Sequence, residues 1–453
     1  MIRKILVGVI ILLIVTLGAA AYGYSQGAIV PGLGSKSLEQ VIDQPATGDS
    51  IELANFAKNR CRLAGSGKQA CYEEIFLEIT ERGQVRLAMD ALSVLSRIDP
   101  GSNRYGHDLT HVVGINAWTP GKDVGAVYES CTGLYQSGCY HGVVQAFLDA
   151  QGTDSATVYG LCNDMPATAS NLWLRFQCVH GIGHGLIQNT GLHLPKALAG
   201  CDWLVNSWDA QSCYGGAFME FIVAGRGQSH HPHRKAGQAG DHGDHTTDAS
   251  QSSSDHAAHD MAGHDHHGAA TDTFAIRDRN DPLYPCSVLD TKYQSSCFGM
   301  QAGIIIETTG ADWGKIAAAC DGAPVAMQPS CYQGIGTYVA GYTVLDLDKS
   351  IENCAKGNDA LQTWCYVGAV KNFIDVSSIP ADGFPFCARL TDRRYAVACY
   401  NAIGEQTSVL RRDPADREPI CAQVPAAYVD ACRYGAGLPA PRPPELTPFQ
   451  PSA

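Results

Sequence analysis

Sixteen histidines stand in the 453-residue chain, and their spacing divides them into two groups. In the first, His107 and His111, and again His180 and His184, are four residues apart, a step that puts both imidazoles of each pair on one face of a helix. His141 lies between the two pairs and His193 follows them. Neutral imidazole binds zinc, copper and iron, so these side chains form a transition-metal site if the fold brings them together. The second group is ten histidines crowded into residues 226–275: His230, His231, His233, His242, His245, His256, His259, His264, His266 and His267. That segment is rich in Gly, Ser, Ala and Asp and has no apolar periodicity, so it is expected to be a disordered insertion and an auxiliary metal-capturing arm.

Whether the first group converges depends on the elements that carry it, and the cysteines measure those elements. The eighteen cysteines fall into nine sequential pairs: Cys61 and Cys71, Cys131 and Cys139, Cys162 and Cys178, Cys201 and Cys213, Cys286 and Cys297, Cys320 and Cys331, Cys354 and Cys365, Cys387 and Cys399, Cys421 and Cys432. The second member usually opens a phrase of the form Cys-aromatic-x-Gly, as in Cys331-Tyr332-Gln333-Gly334. From Cys297 onward the second members recur at steps of 34, 34, 34 and 33. Each phrase leads into an apolar stretch at helical spacing, then a polar loop and a second short helix. The chain therefore reads as an all-α solenoid of about ten αα-hairpin units, headed by residues 71, 105, 139, 178, 213, 297, 331, 365, 399 and 432. Tyr105 occupies the head that lacks a cysteine. His107, His141 and His180 each stand two places after a head, which predicts one column on three consecutive helices, with His111 and His184 one turn further along. Neighbouring helices pack ~8–10 Å apart, close enough for facing imidazoles to share an ion. In later units the same column holds Gly299, Gln333, Val367 and Asn401.

Residues Ile5–Tyr24 are uncharged and follow Arg3 and Lys4, a pattern that predicts a transmembrane anchor with a cytoplasmic N-terminus; Ala19–Ala21 also permit a cleaved signal. Either reading exports the remainder to a periplasmic or cell-surface location, where paired cysteines oxidise to disulfides. The expected organisation is an anchor or signal at 1–24, a linker at 25–54, five repeat units with the His column at 55–225, the insertion at 226–275, five further units at 276–437 and a Pro-rich tail at 438–453. A 45% apolar composition supports a real core, and 45 acidic against 32 basic side chains give no footprint for a nucleic-acid partner. Gly-x-Gly-x-x-Gly, Walker, Gly-x-Ser-x-Gly and Cys-x-x-Cys-His motifs are absent, which removes the main support for nucleotide, serine-hydrolase and c-type haem chemistry.

The period resembles that of tetratricopeptide-type αα-repeats, and the bridging resembles exported Sel1-like arrays. His107-Asp108-Leu109-Thr110-His111 is similar to the zincin helix motif, with Asp108 where the catalytic base stands. The placement of histidines on successive repeats resembles deoxyhypusine hydroxylase, a helical-repeat enzyme that gathers histidine and acidic ligands around two irons. The histidine-rich insertion resembles metal-scavenging tracts of periplasmic copper and zinc proteins. The expected function is accordingly metal handling: an exported, membrane-anchored repeat protein holding zinc, copper or iron on His107, His111, His141, His180 and His184. The alternatives are a metal-dependent oxygenase, oxidase or hydrolase in which Asp108 or Glu220 acts on bound water or oxygen, and a scaffold that binds a protein partner on the solenoid surface. Glu220 by itself reads as a solvated helix-surface residue.

Overall fold

The computed structural model describes residues 49–225 and 274–446, and among these there are helices, turns and connections but no strand. The segment expected to cross a membrane, most of the expected linker, nearly all of the histidine-rich insertion and the end of the Pro-rich tail lie outside the described residues. Within the described residues no helix is long and apolar enough to span a bilayer.

Ten helices form the inner row: α1 Lys68–Glu81, α2 Gly106–Ala117, α3 Gly138–Gln151, α4 Leu172–Asn189, α5 Ser207–Gly225, α6 Thr291–Thr309, α7 Gln328–Tyr342, α8 Gln362–Ser377, α9 Arg393–Leu410 and α10 Val429–Gly435. Each packs on the next, and each contains, or in the case of α2 directly follows, one of the head residues. Shorter helices lie between them, several opened by an aspartate whose carboxylate accepts from the first free backbone N–H groups, as Asp154, Asp312, Asp346 and Asp413 do. Nine disulfides join the nine sequential cysteine pairs, with Cα–Cα separations from 5.5 to 5.9 Å that a bridge spans without backbone distortion. Among the described residues no cysteine is free.

The recurring phrase now has a physical meaning at each position. Its cysteine ties the inner helix to the preceding helix, or, through Cys131 and Cys286, to the preceding connection. Its aromatic is core: Tyr72, Phe298, Tyr332 and Tyr400 are essentially inaccessible to solvent. Its glycine is where two helix backbones meet. A Cβ built on Gly142 would overlap the His111 carbonyl oxygen, one on Gly216 the His180 carbonyl, and one on Gly368 the Gln333 carbonyl. Only a residue without a side chain admits this approach, and it draws the column positions of adjacent helices together.

The row also curls back on itself. Between α2 and α3, the Tyr135 N–H donates to the Val376 carbonyl at 2.9 Å and the Gln136 N–H to the Asp375 carbonyl at 3.0 Å, so this connection is held against the C-terminal end of α8. Helices α4 and α9 touch as well. Tyr135, Gln136 and Ser137 all have left-handed backbones, with φ of 51, 55 and 65°, a conformation that costs a non-glycine residue about 1–2 kcal/mol.

The structure moves three expected boundaries. Helix Asp49–Cys61 begins inside the segment read as linker, because Leu53, Ala54 and Ala57 give it a buried face against Val85–Ile98. The expected tail starts as packed chain, with Leu446 against the core and Glu445 paired to Arg393 at 2.7 Å. At the end of the insertion, Phe274 stacks on Tyr284 at 5.6 Å.

Candidate metal centre

Helices α2, α3 and α4 bring the five column histidines into one group. Ring centres lie 5.1 Å apart for His107 and His111, 5.0 Å for His111 and His184, 5.1 Å for His141 and His184, 4.7 Å for His141 and His180, and 5.2 Å for His180 and His184. His141 stands 5.8 Å from His107 and 5.7 Å from His111. With metal–nitrogen bonds of ~2.0–2.1 Å, two imidazoles on one tetrahedral ion have ring centres about 5 Å apart, so these spacings fit a shared ion. Two triads, His107–His111–His141 and His141–His180–His184, each place three ligand atoms within 4.8 Å of one another.

Position alone does not make a ligand; orientation and protonation state do. His184 Nδ1 lies 2.8 Å from the Glu220 Oε2 carboxylate oxygen, His107 Nδ1 2.9 Å from the Tyr135 carbonyl, and His141 Nε2 2.9 Å from Gln177 Oε1. All three partners are acceptors, so each ring donates from that nitrogen and presents the other as a lone pair. A second hydrogen bond of this kind fixes the tautomer and raises ligand basicity in metal sites. Burial adds to the effect: His111 and His184 are 0% exposed, His141 2% and His180 6%. Desolvation and the neighbouring histidines hold the pKa values of His141 and His180 well below the ordinary imidazole value, so both are neutral and competent to ligate. Among the described residues His141 Nδ1 has no hydrogen-bond partner, and neither ring nitrogen of His180 makes a hydrogen bond of full geometry, although the Ser212 backbone lies close enough to favour its charged form. Leaving a buried polar atom unsatisfied costs about 1–3 kcal/mol, and a metal ion would satisfy these nitrogens.

Glu220 departs from expectation. It is not a solvated surface residue but is 0% exposed, with one oxygen on His184 and the other accepting from Gln188. A carboxylate so engaged orients a ligand and increases its basicity. Asp108 follows His107 on α2 and accepts from the Gln69 amide at 3.2 Å; that amide also reaches Glu73 at 3.0 Å. Glu73 stands two places after Cys71, so the column extends into the first unit as a carboxylate, a continuation that the spacing of the heads already contained. Gln177 and the Tyr135 carbonyl were not legible in the same way, since neither occupies a repeated position. His193 belongs to no part of the cluster and caps helix Leu194–Cys201 through its ring nitrogen.

The helices are locked where the site needs them. Arg175 on α4 holds the buried Asp209 of α5 with a bidentate pair at 3.0 and 2.5 Å, and disulfides Cys131–Cys139 and Cys162–Cys178 fix α3 and α4. α2 has no bridge at Tyr105; instead the Tyr135 ring packs on Gly106. Compared with known families, curated proteins and solved structures, the chain matches none.

Proposed function

We propose that this chain is a disulfide-stapled αα-repeat protein of an oxidising, extracytoplasmic compartment that holds a transition-metal ion in the buried histidine cluster of α2–α4. The observation that carries the reading is a group of converging imidazoles with acceptors behind three of them: Glu220, the Tyr135 carbonyl and Gln177 each take one ring N–H, and the ligand atoms of each triad lie within 4.8 Å of one another. A core histidine also needs an acceptor for its N–H; the convergence of the triads is what comes in addition. Zinc, copper and iron all suit an all-imidazole donor set. In this reading the uncharged segment Ile5–Tyr24 anchors the body to a membrane and the histidines of residues 226–275 collect metal for the ordered site. Metal handling is preferred to hydrolysis because Glu220 is committed to His184 and Asp108 to Gln69.

The test is to strip and reload the full chain and a variant lacking residues 226–272 with Zn²⁺, Cu²⁺ and Fe²⁺, then measure retained metal after dialysis against a chelator. Tight stoichiometric metal that survives the deletion supports an ordered site. Loss of all tight metal would leave the insertion as the binding element and the array as a scaffold.

A further inference from the structure

The five histidines are too many, and too extended, for one ion. His107 and His180 sit at opposite ends of the group and, among the described residues, make no ring contact with each other, whereas His111 and His184 meet in the middle at 5.0 Å. His141 has one nitrogen committed to Gln177, so only Nδ1 can ligate, and one nitrogen serves one ion. Its ring lies nearer to His180 and His184, at 4.7 and 5.1 Å, than to His107 and His111, at 5.8 and 5.7 Å. Both ends are prepared for ligation. At one, His107 is oriented by the Tyr135 carbonyl, which a left-handed backbone presents to it. At the other, the buried His180 has the Ser212 backbone beside it but, among the described residues, no hydrogen bond of full geometry at either nitrogen, and a single ion placed on His107, His111 and His141 would leave it so.

Resting on the reading of this cluster as a metal centre, we infer that it is binuclear: one ion takes His141 Nδ1, His180 and His184 Nε2, and a second, adjacent ion takes His107 Nε2 and His111. The two ions differ in kind. Three imidazoles nearly complete a tetrahedral shell, as in closed or single-water sites, whereas two imidazoles leave at least two positions for water or a small exogenous ligand. The second ion is therefore where an outside molecule binds, with Asp108 one residue from its ligand His107.

The full chain is tested by difference, so that metal bound elsewhere cancels. After loading with Cu²⁺ and dialysis against a chelator, His107→Asn and His180→Asn should each retain one ion per chain fewer than the wild type, and the double variant two fewer. The wild type, which depends on no substitution, should show a half-field electron paramagnetic resonance signal from coupled copper, absent in either single variant. If both single variants and the double variant lose the same one ion, or either single variant loses none, and the wild type gives only isolated-copper signals, the second ion is overturned while the metal centre stands. A wild type that retains no chelator-resistant copper, zinc or iron overturns the metal centre itself, and the two-ion inference with it.

Discussion

At the scale of single residues, what stands behind each ring decides how well it can ligate. Glu220→Gln keeps the size of the side chain but removes the charge that holds His184, and outer-shell changes of this kind typically cost about 10–100-fold in metal affinity. Competition with a chromophoric chelator reads this directly; unchanged affinity would show that Glu220 is only a core partner. The pH dependence has a defined sign. The folded pKa values of His141 and His180 are depressed below the unfolded value of ~6.5, so the neutral rings favour the fold above that pH, and the metal-free protein loses stability as pH falls below it. Each group contributes up to about 1.4 kcal/mol per pH unit, measurable as a falling denaturation midpoint between pH 7 and pH 5. Bound metal should be released over the same range, because protons compete for the same nitrogens. Sequence spacing placed His107, His141 and His180 in one column, and the structure brings their rings into one group. It did not reveal the partners, because Tyr135 acts through its backbone and Gln177 and Glu220 lie on faces whose burial depends on packing.

At the scale of elements, the glycine of the repeated phrase sets the distance between histidine-bearing helices. Gly216→Ala forces a methyl group into the His180 carbonyl, and overpacking of this sort costs about 1–3 kcal/mol. Gly299, in the column position of α6, has open space around it, so Gly299→Ala should be neutral or stabilising by up to about 1 kcal/mol from helix propensity. Thermal denaturation of the two variants separates close approach from helix propensity; equal shifts would contradict the role given to Gly216. The helix-and-bridge layout was legible because the cysteines and the period are local. The glycines were visible as part of the phrase, but their purpose was not, since a sequence shows that a residue recurs without showing which backbone it faces.

At the scale of the whole molecule, the curl of the row joins distant parts of the chain, and no repeat period encodes it. Asp375, whose carbonyl accepts from Gln136 at this seam, has its carboxyl pushed up to about 7 by burial, against the pull of Lys371 and of the hydrogen bond from Gln406. A folded pKa above the unfolded carboxylate value means the protonated form favours the fold, and that stability is lost as pH rises from about 4 toward 7. Asp375→Asn should therefore raise the melting temperature at pH 8 relative to wild type, with the difference shrinking toward pH 4. Because the seam also carries the Tyr135 carbonyl that holds His107, the far half of the chain helps to position the histidine cluster. The most direct test of that centre is anomalous diffraction from crystals loaded in turn with zinc, copper and iron. A peak is expected at metal–nitrogen bonding distance from His141 Nδ1 within the buried cluster; metal found only outside it, with these nitrogens bonded to water, would rule out a buried metal centre.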